Sequence, residues 1–159
     1  MVTEKAFRHA MSHWATGVTV ITTLGPGEKV LGFTATSFSS LSLSPPLVLF
    51  CLANTSSVTE AFREAQGFVV NILGAEHQEW SKQFAGNQDD RFIGIAHRPG
   101  TLGMPVLTGA LAHLECRTQA IHPGGDHLIF VGAVQAVSQR EGEPLLYYSG
   151  SYRKIRPHS

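Results

Sequence analysis

From Val18 to Thr23 every residue is β-branched. Such side chains lose rotamer freedom in a helix and pack well on a pleated surface, so the run predicts a strand. Gly25-Pro26-Gly27-Glu28 follows as a strong turn signal, and Val30 to Ala35 is predicted to return antiparallel. The same alternation of strand and turn recurs. Pro45-Pro46 precedes the apolar run 47–52, and Gly67 introduces strand 68–73. Pro123-Gly124-Gly125-Asp126 separates a period-two segment at 110–121 from a long apolar strand at 127–137. A turn at 142–144 leads into 145–148 and then Gly150-Ser151-Tyr152-Arg153.

Helical signals are few and short. Phe7, Ala10, Met11 and Trp14 recur at helical spacing behind a Thr3 cap, and Gly17 stops that helix. Ser57 and Glu60 make a capping box for a second helix, with Val58, Ala61, Phe62 and Ala65 as its buried stripe. Residues 76–85 carry Trp80 and Phe84 on one side and predict a third. From Gly86 to Gly103 the chain is polar and aperiodic, a long loop with one helical turn. Antiparallel strands with peripheral helices predict a mainly β fold closed into a barrel, as a single domain over 1–159. Parallel α/β is disfavoured, because strands and helices do not alternate.

Formal net charge is zero, with no basic stripe, which ranks nucleic-acid binding low. Charged residues are only 15%, compatible with surface buried in an oligomer. No apolar run approaches the roughly 20 residues needed to span a bilayer. The first ten residues contain no apolar signal core. Cys51 and Cys116 fit reduced, buried thiols, so the expected location is cytoplasmic. No dinucleotide fingerprint, Walker loop, nucleophile elbow or Cys-x-x-Cys pair occurs. His9 and His13 lie four apart, but lack the glutamate of a zinc-protease helix and a third ligand, so no metal is expected.

The positive signals concern ligand binding. Residues 32–44 are crowded with hydroxyls (Thr34, Thr36, Ser37, Ser39, Ser40, Ser42, Ser44), directly before the apolar run that ends in Cys51 and Leu52. Small hydroxyl residues let a ligand approach the backbone and offer hydrogen bonds without bulk. Ser56 and Ser57 stand where a helix start leaves N–H groups unpaired, a natural phosphate site or a plain cap. His127 opens a strand behind two glycines and an aspartate. Tyr152 could stack on a planar ligand or close the barrel end. Ser39 to Ser44 are read as turn and backbone-contact residues.

Taken in order, A-T-G-V-T-V-I-T-T at 15–23, the segment 32–52, N-T-S-S at 54–57, G-F-V-V-N-I-L at 67–73, G-G-D-H at 124–127 and G-S-Y-R at 150–153 resemble the short-chain flavin reductases. These are the reductase components of two-component flavin-dependent monooxygenases. The resemblance covers the chain from Phe7 to about Lys154. It implies an FMN-binding split barrel, usually a homodimer, that transfers hydride from NAD(P)H to FMN or FAD and supplies reduced flavin to a partner monooxygenase. It further implies that Thr34, Thr36 and Ser37 hold the flavin ring and ribityl chain, and that Cys51 and Leu52 line the ring through backbone groups. Asn54, Ser56 and Ser57 would lie near the phosphate or adenylate. Phe84 and Ala85 would form the far wall, His127 the nicotinamide face, and Tyr152 the closure. Many relatives carry Asn where this chain has Thr36. Two rival expectations are an FMN-dependent oxidase of the same barrel type, similar to pyridoxamine-phosphate oxidase, and a non-catalytic flavin-binding protein.

Overall fold

The computed structural model describes residues 1–156. Helix α1 (Glu4–Met11) is capped as expected, Thr3 Oγ1 accepting from the Ala6 N–H at 3.2 Å. It ends earlier than Gly17, because the chain leaves it to form β1 (Thr16–Gly17). Strands β2 (Thr19–Leu24) and β3 (Val30–Ala35) are the expected antiparallel pair. Next come β4 (Ser39–Leu43) and β5 (Pro46–Ala53), joined across the Ser44-Pro45-Pro46 turn. The serines of 39–43, read from sequence as turn residues, thus form an edge strand.

Helix α2 (Thr59–Glu64) is shorter than expected and lacks the Ser57/Glu60 capping box. Val58 occupies the cap position, which has no side-chain acceptor, and Thr59 Oγ1 instead donates to Ala53 O at 2.7 Å. Strand β6 (Gly67–Ile72) and helix α3 (Gln78–Ala85) follow, α3 preceded by a 3-10 turn at Ala75–His77. The 86–103 loop is less irregular than its composition implies. It contains β7 (His97–Pro99), which pairs with β8 (Pro105–Leu107).

Two long strands, β9 (Ala112–Gly124) and β10 (His127–Gln139), form a hairpin through Gly125, whose φ of +71° suits a residue without Cβ. Irregularities in that pairing, between Val131 and Gly132 and between Val134 and Ala136, break the strict alternation expected of 110–121. Glu115 and Cys116 are consequently both buried. Strands β11 (Leu146–Tyr148) and β12 (Ser151–Arg153) close the chain and make a small sheet with β1.

The principal sheet is antiparallel throughout, in the order β3-β2-β6-β9-β10-β5-β4. Its inner face carries Phe33, Phe50, Phe68 and Phe130, with Phe62 of α2 laid across them. Phe50 stacks on Phe130 with centroids 4.9 Å apart and meets Phe68 edge-on at 4.9 Å. Each such ring contributes about 2–3 kcal/mol on burial.

A second cluster, including Val18, Leu73, Phe84, Phe92, Ile95 and Leu107, fixes α3 and the 86–103 loop against the other end of the sheet. Gly32 lets α3 come this close: a Cβ there would lie 3.0 Å from the Phe84 ring. Asn71 ties the region together, donating to Val20 O and Thr22 Oγ1 at 3.0 Å and accepting from the Leu107 N–H at 2.9 Å. No helix among the described residues is long and apolar enough to cross a membrane.

Candidate functional site

The β3 segment ends at one rim of the sheet, beside the start of α2, the end of α3 and the β9–β10 turn. Between them lies a cavity of about 570 Å³ lined by Thr34 to Ser37, Cys51 to Ala53, Thr55 to Ser57, Phe84, Ala85, Asn87, Arg91 and His127. The volume suits a ring system with a polar chain. Thr34, Thr36, Ser37, Cys51, Leu52, Ser56, Ser57, Phe84, Ala85 and His127, all named from sequence, come together here.

Their hydroxyls are not equivalent. Thr34 Oγ1 donates to Ser81 O at 2.6 Å, which holds β3 against α3. Ser37 Oγ donates to Cys51 O at 2.9 Å and accepts from the Cys51 N–H at 3.1 Å. Ser37 therefore stitches the chain after β3 to β5, and it engages the Cys51 backbone groups expected to face a ligand. Burial pushes the Cys51 thiol pKa up, so the thiol stays protonated near neutrality. Thr36 and Ser56 are different: neither side chain makes a hydrogen bond among the described residues, so both keep donor and acceptor capacity for a ligand.

Two expected residues lie outside this cavity. Asn54 braces the β9–β10 turn instead of lining the phosphate end: its N–H donates to Asp126 O at 2.9 Å and its Nδ2 to Gly125 O at 3.3 Å. Thr55 lines the wall in its place. Tyr152 belongs to an adjoining cavity of about 230 Å³, shared with Val18, Thr34, Thr36, Ser81, Ala85 and Tyr147. Its hydroxyl lies 2.8 Å from Ser81 Oγ, and its cavity adjoins the first across the shared residues Thr34, Thr36 and Ala85.

Sequence reasoning missed Arg91, Asn87 and Ser81. Arg91 Nη1 donates to Gly32 O at 3.0 Å, and Nη2 lies 3.5 Å from Ser57 Oγ. The guanidinium is thus the fixed positive charge of the cavity wall, opposite no carboxylate among the described residues. Partial burial lowers its pKa, yet an Arg remains protonated. One signal could have located it. Phe92, Ile93 and Ile95 are bulky apolar residues in a mostly polar loop; Phe92 and Ile95 are buried while Ile93 is exposed, which folds Arg91 inward. Asp90 Oδ1 accepts from the Phe92 N–H at 2.9 Å and shapes that bend.

At the opposite rim His127 is half-buried, its Nδ1 2.7 Å from Asp126 Oδ1. A carboxylate only accepts, so Nδ1 carries the proton and Nε2 is the open ring nitrogen. The hydrogen bond to His127 is the main reason the Asp126 carboxyl lies below its ordinary pKa. The cavity thus has a neutral hydroxyl-and-backbone floor, a cationic end at Arg91 and an imidazole rim at His127. Among the described residues, no acid–base pair or nucleophile faces another across it. Such a lining offers hydrogen bonds and one fixed positive charge to a ligand, and no covalent chemistry of its own.

The family model described as "Flavin reductase like domain" matches residues 11–156. The chain is 43% identical over 157 residues to the reductase subunit HsaB of a flavin-dependent monooxygenase from Rhodococcus jostii, covering 98% of this chain and 80% of that protein. Nitrilotriacetate monooxygenase component B from Mycobacterium thermoresistibile superposes with a TM-score of 0.92 at 41% identity, over 97% of this chain and 87% of that one. The NADH:FAD oxidoreductase SgcE6 of Streptomyces globisporus, solved in complex with NAD and FAD fragments, gives a TM-score of 0.92 at 34% identity, over 99% and 97%.

Proposed function

The chain belongs to the flavin reductase family, and on that premise we propose that it transfers hydride from NAD(P)H to FMN or FAD and supplies reduced flavin to a partner monooxygenase. The observation that carries this reading is the cavity itself, with unengaged hydroxyls at Thr36 and Ser56 between a cationic end at Arg91 and an imidazole at His127. When bound, the flavin supplies the electron-accepting ring and the nicotinamide supplies the hydride.

The protein's part is placement. Thr36 and the backbone of the 34–37 segment hold the ring and its chain. Ser56, Ser57 and Arg91 hold the phosphate, where a charge-assisted bond outweighs a neutral one. Phe84, Ala85 and Leu52 wall off water. His127, aligned by Asp126, would offer Nε2 as a hydrogen-bond partner to the nicotinamide and so help position it. Tyr152 supports the ring's far side through Ser81 and Thr34. Ser37, Cys51 and Asn54 serve by holding the rim in shape.

Three features of architecture belong to the same proposal. The chain is one unit over 1–159, curled into a split barrel by the Ser37 link from the end of β3 to β5. It forms a homodimer, a reading supported by Phe7, Met11 and Trp14 of the α1 region at 60%, 50% and 69% exposure, and by Leu43 at 92%. An isolated amphipathic helix with no buried residue has no reason to stay folded against its own chain. The two free thiols, Cys51 and Cys116, support a reducing, cytoplasmic location.

Anaerobic stopped-flow mixing, crossing FMN and FAD with NADH and NADPH, tests the reaction. Rapid bleaching of the flavin band is expected, and no bleaching in any combination would sink the proposal. Steady-state kinetics of His127→Ala test its role: KM for the nicotinamide should rise, and unchanged KM and kcat remove His127 from the site. Sedimentation of the purified chain at twice the monomer mass is expected for the dimer.

A further inference from the structure

Where β11 and β12 end the described chain there is a groove of about 970 Å³, lined by Leu146, Tyr148, Tyr152 and the segment 153–156. It shares Tyr152 with the 230 Å³ cavity, which in turn shares Thr34, Thr36 and Ala85 with the large one. The three spaces therefore follow one another from the candidate site to the groove. We propose that this groove docks an acidic segment of the partner monooxygenase, one that sets a leucine or aromatic side chain among its carboxylates. The inference rests on the flavin-supplying role proposed above and adds where the recipient is recognised.

Charge is the first observation. Arg153, Lys154 and Arg156 put three exposed cations within four residues, and the groove lining holds no carboxylate. The whole chain is balanced, with 12 basic and 12 acidic residues, so this is a local excess. None of the three makes an ion pair among the described residues. Such cations steer an acidic partner and fix its register more than they hold it. The second observation supplies the hold. Tyr148 and Ile155 are exposed in the same groove, with Leu146 half-buried beside them. Apolar anchors inside a charged frame suit a protein segment, whereas a polyphosphate chain would have no use for them.

The groove wall is also held in place. Leu146 pairs with Arg153 and Tyr148 with Ser151, while Tyr147 pairs with Thr16 of β1. The Ser149 N–H donates to Ser12 O at 2.9 Å, and the Tyr152 hydroxyl lies 2.8 Å from Ser81 Oγ. A frame already ordered loses little conformational entropy when a partner arrives. Position supplies the reason for docking here. Reduced flavin reacts with oxygen in solution, and a recipient held at the end of this run of cavities receives it at high effective concentration.

The probe is a rhodamine-labelled peptide of repeating Asp-Glu-Leu, titrated with the full chain loaded with flavin and followed by anisotropy. The triple variant Arg153→Gln, Lys154→Gln, Arg156→Gln is expected to bind it about tenfold more weakly, about twofold for each exposed ion pair. Ile155→Ser should weaken it about threefold with the charges intact. Added salt should weaken the parent and barely affect the triple variant. All four positions are exposed and stand outside the candidate site, so NADH-dependent flavin bleaching should match the parent's in both variants. No binding by the parent, equal binding by the triple variant, equal binding of an Asn-Gln-Leu peptide, or tighter binding of an oligothymidylate would each overturn the docking assignment. So would a triple variant that sediments as a monomer where the parent is a dimer, since the groove would then be an interface between copies. Absence of bleaching in the parent would instead overturn the flavin reading itself, whatever the peptide does.

Discussion

Strand β2 and the segment after β3 are both rich in threonine and serine, yet all three β2 threonines are engaged, whereas the segment after β3 mixes an engaged Ser37 with an unengaged Thr36. On β2 the hydroxyls of Thr19, Thr22 and Thr23 are buried, and each donates to a backbone carbonyl: Ala35 O, Pro105 O and Gly67 O. Asn71 completes that network with three further bonds. Just past β3 the Thr36 side chain is exposed and bonds nothing among the described residues, and Ser56 faces the same space. Hydroxyl content therefore does not mark a binding site. A ligand site keeps polar groups unengaged at the edge of a cavity, where water satisfies them until something better arrives. Polar groups in the core must be satisfied by the protein, since each one stranded there costs about 1–3 kcal/mol.

The most severe break in this comparison is Asn71→Ala. It removes the acceptor of the buried Leu107 N–H and the bonds to Val20 O and Thr22 Oγ1, and should cost about 3–4 kcal/mol in urea unfolding. A loss below 1 kcal/mol would mean water replaces the side chain. Next is Arg91→Met, which removes the cavity's fixed charge. Flavin affinity should fall about 10- to 100-fold, the worth of one charged hydrogen bond, with a far-ultraviolet dichroism spectrum like the parent's.

A mirrored pair sharpens the contrast further. Thr22→Val should cost about 1–2 kcal/mol of stability and leave flavin affinity alone. Thr36→Val should raise the flavin Kd about fivefold and shift stability by less than about 0.5 kcal/mol. If both substitutions act on stability alone, Thr36 is a structural residue like its counterpart.

The smallest expected effect is a pH dependence at the base of α3. Burial against Trp80, with ring centroids 3.9 Å apart, lowers the His77 pKa from its ordinary 6.5. Its Nδ1 accepts from the Gly74 N–H at 3.0 Å, a bond only the neutral ring can make. Folding therefore excludes a proton that the unfolded chain takes up. This contribution is complete above about pH 6.5 and is lost as pH falls through the depressed value. Urea midpoints measured from pH 8 to 5 should decline at the acid end, and His77→Gln should flatten that decline.

Much of this was legible in the linear order of residues. The strands, their turns and their antiparallel sense followed from β-branched runs cut by Gly and Pro, because those preferences are local. Ten of the twelve site residues expected from the sequence line one cavity, Asn54 and Tyr152 being the exceptions. What escaped were relations between distant segments. The Ser57/Glu60 spacing matches a capping box, but Thr59 reaching Ala53 O moved the helix start past it. Arg91 sits in a loop with no periodicity, and only the burial of Phe92 and Ile95 turns it inward.

The sequence by itself determined which backbone each segment adopts and which side chains can carry hydrogen bonds. Only the tertiary structure decided which of those bonds are already made. A hydroxyl is free or engaged according to the carbonyl that lies within about 3 Å of it, and that carbonyl comes from a segment tens of residues away. Thr22 meets Pro105 and Thr34 meets Ser81, while Thr36 meets open space.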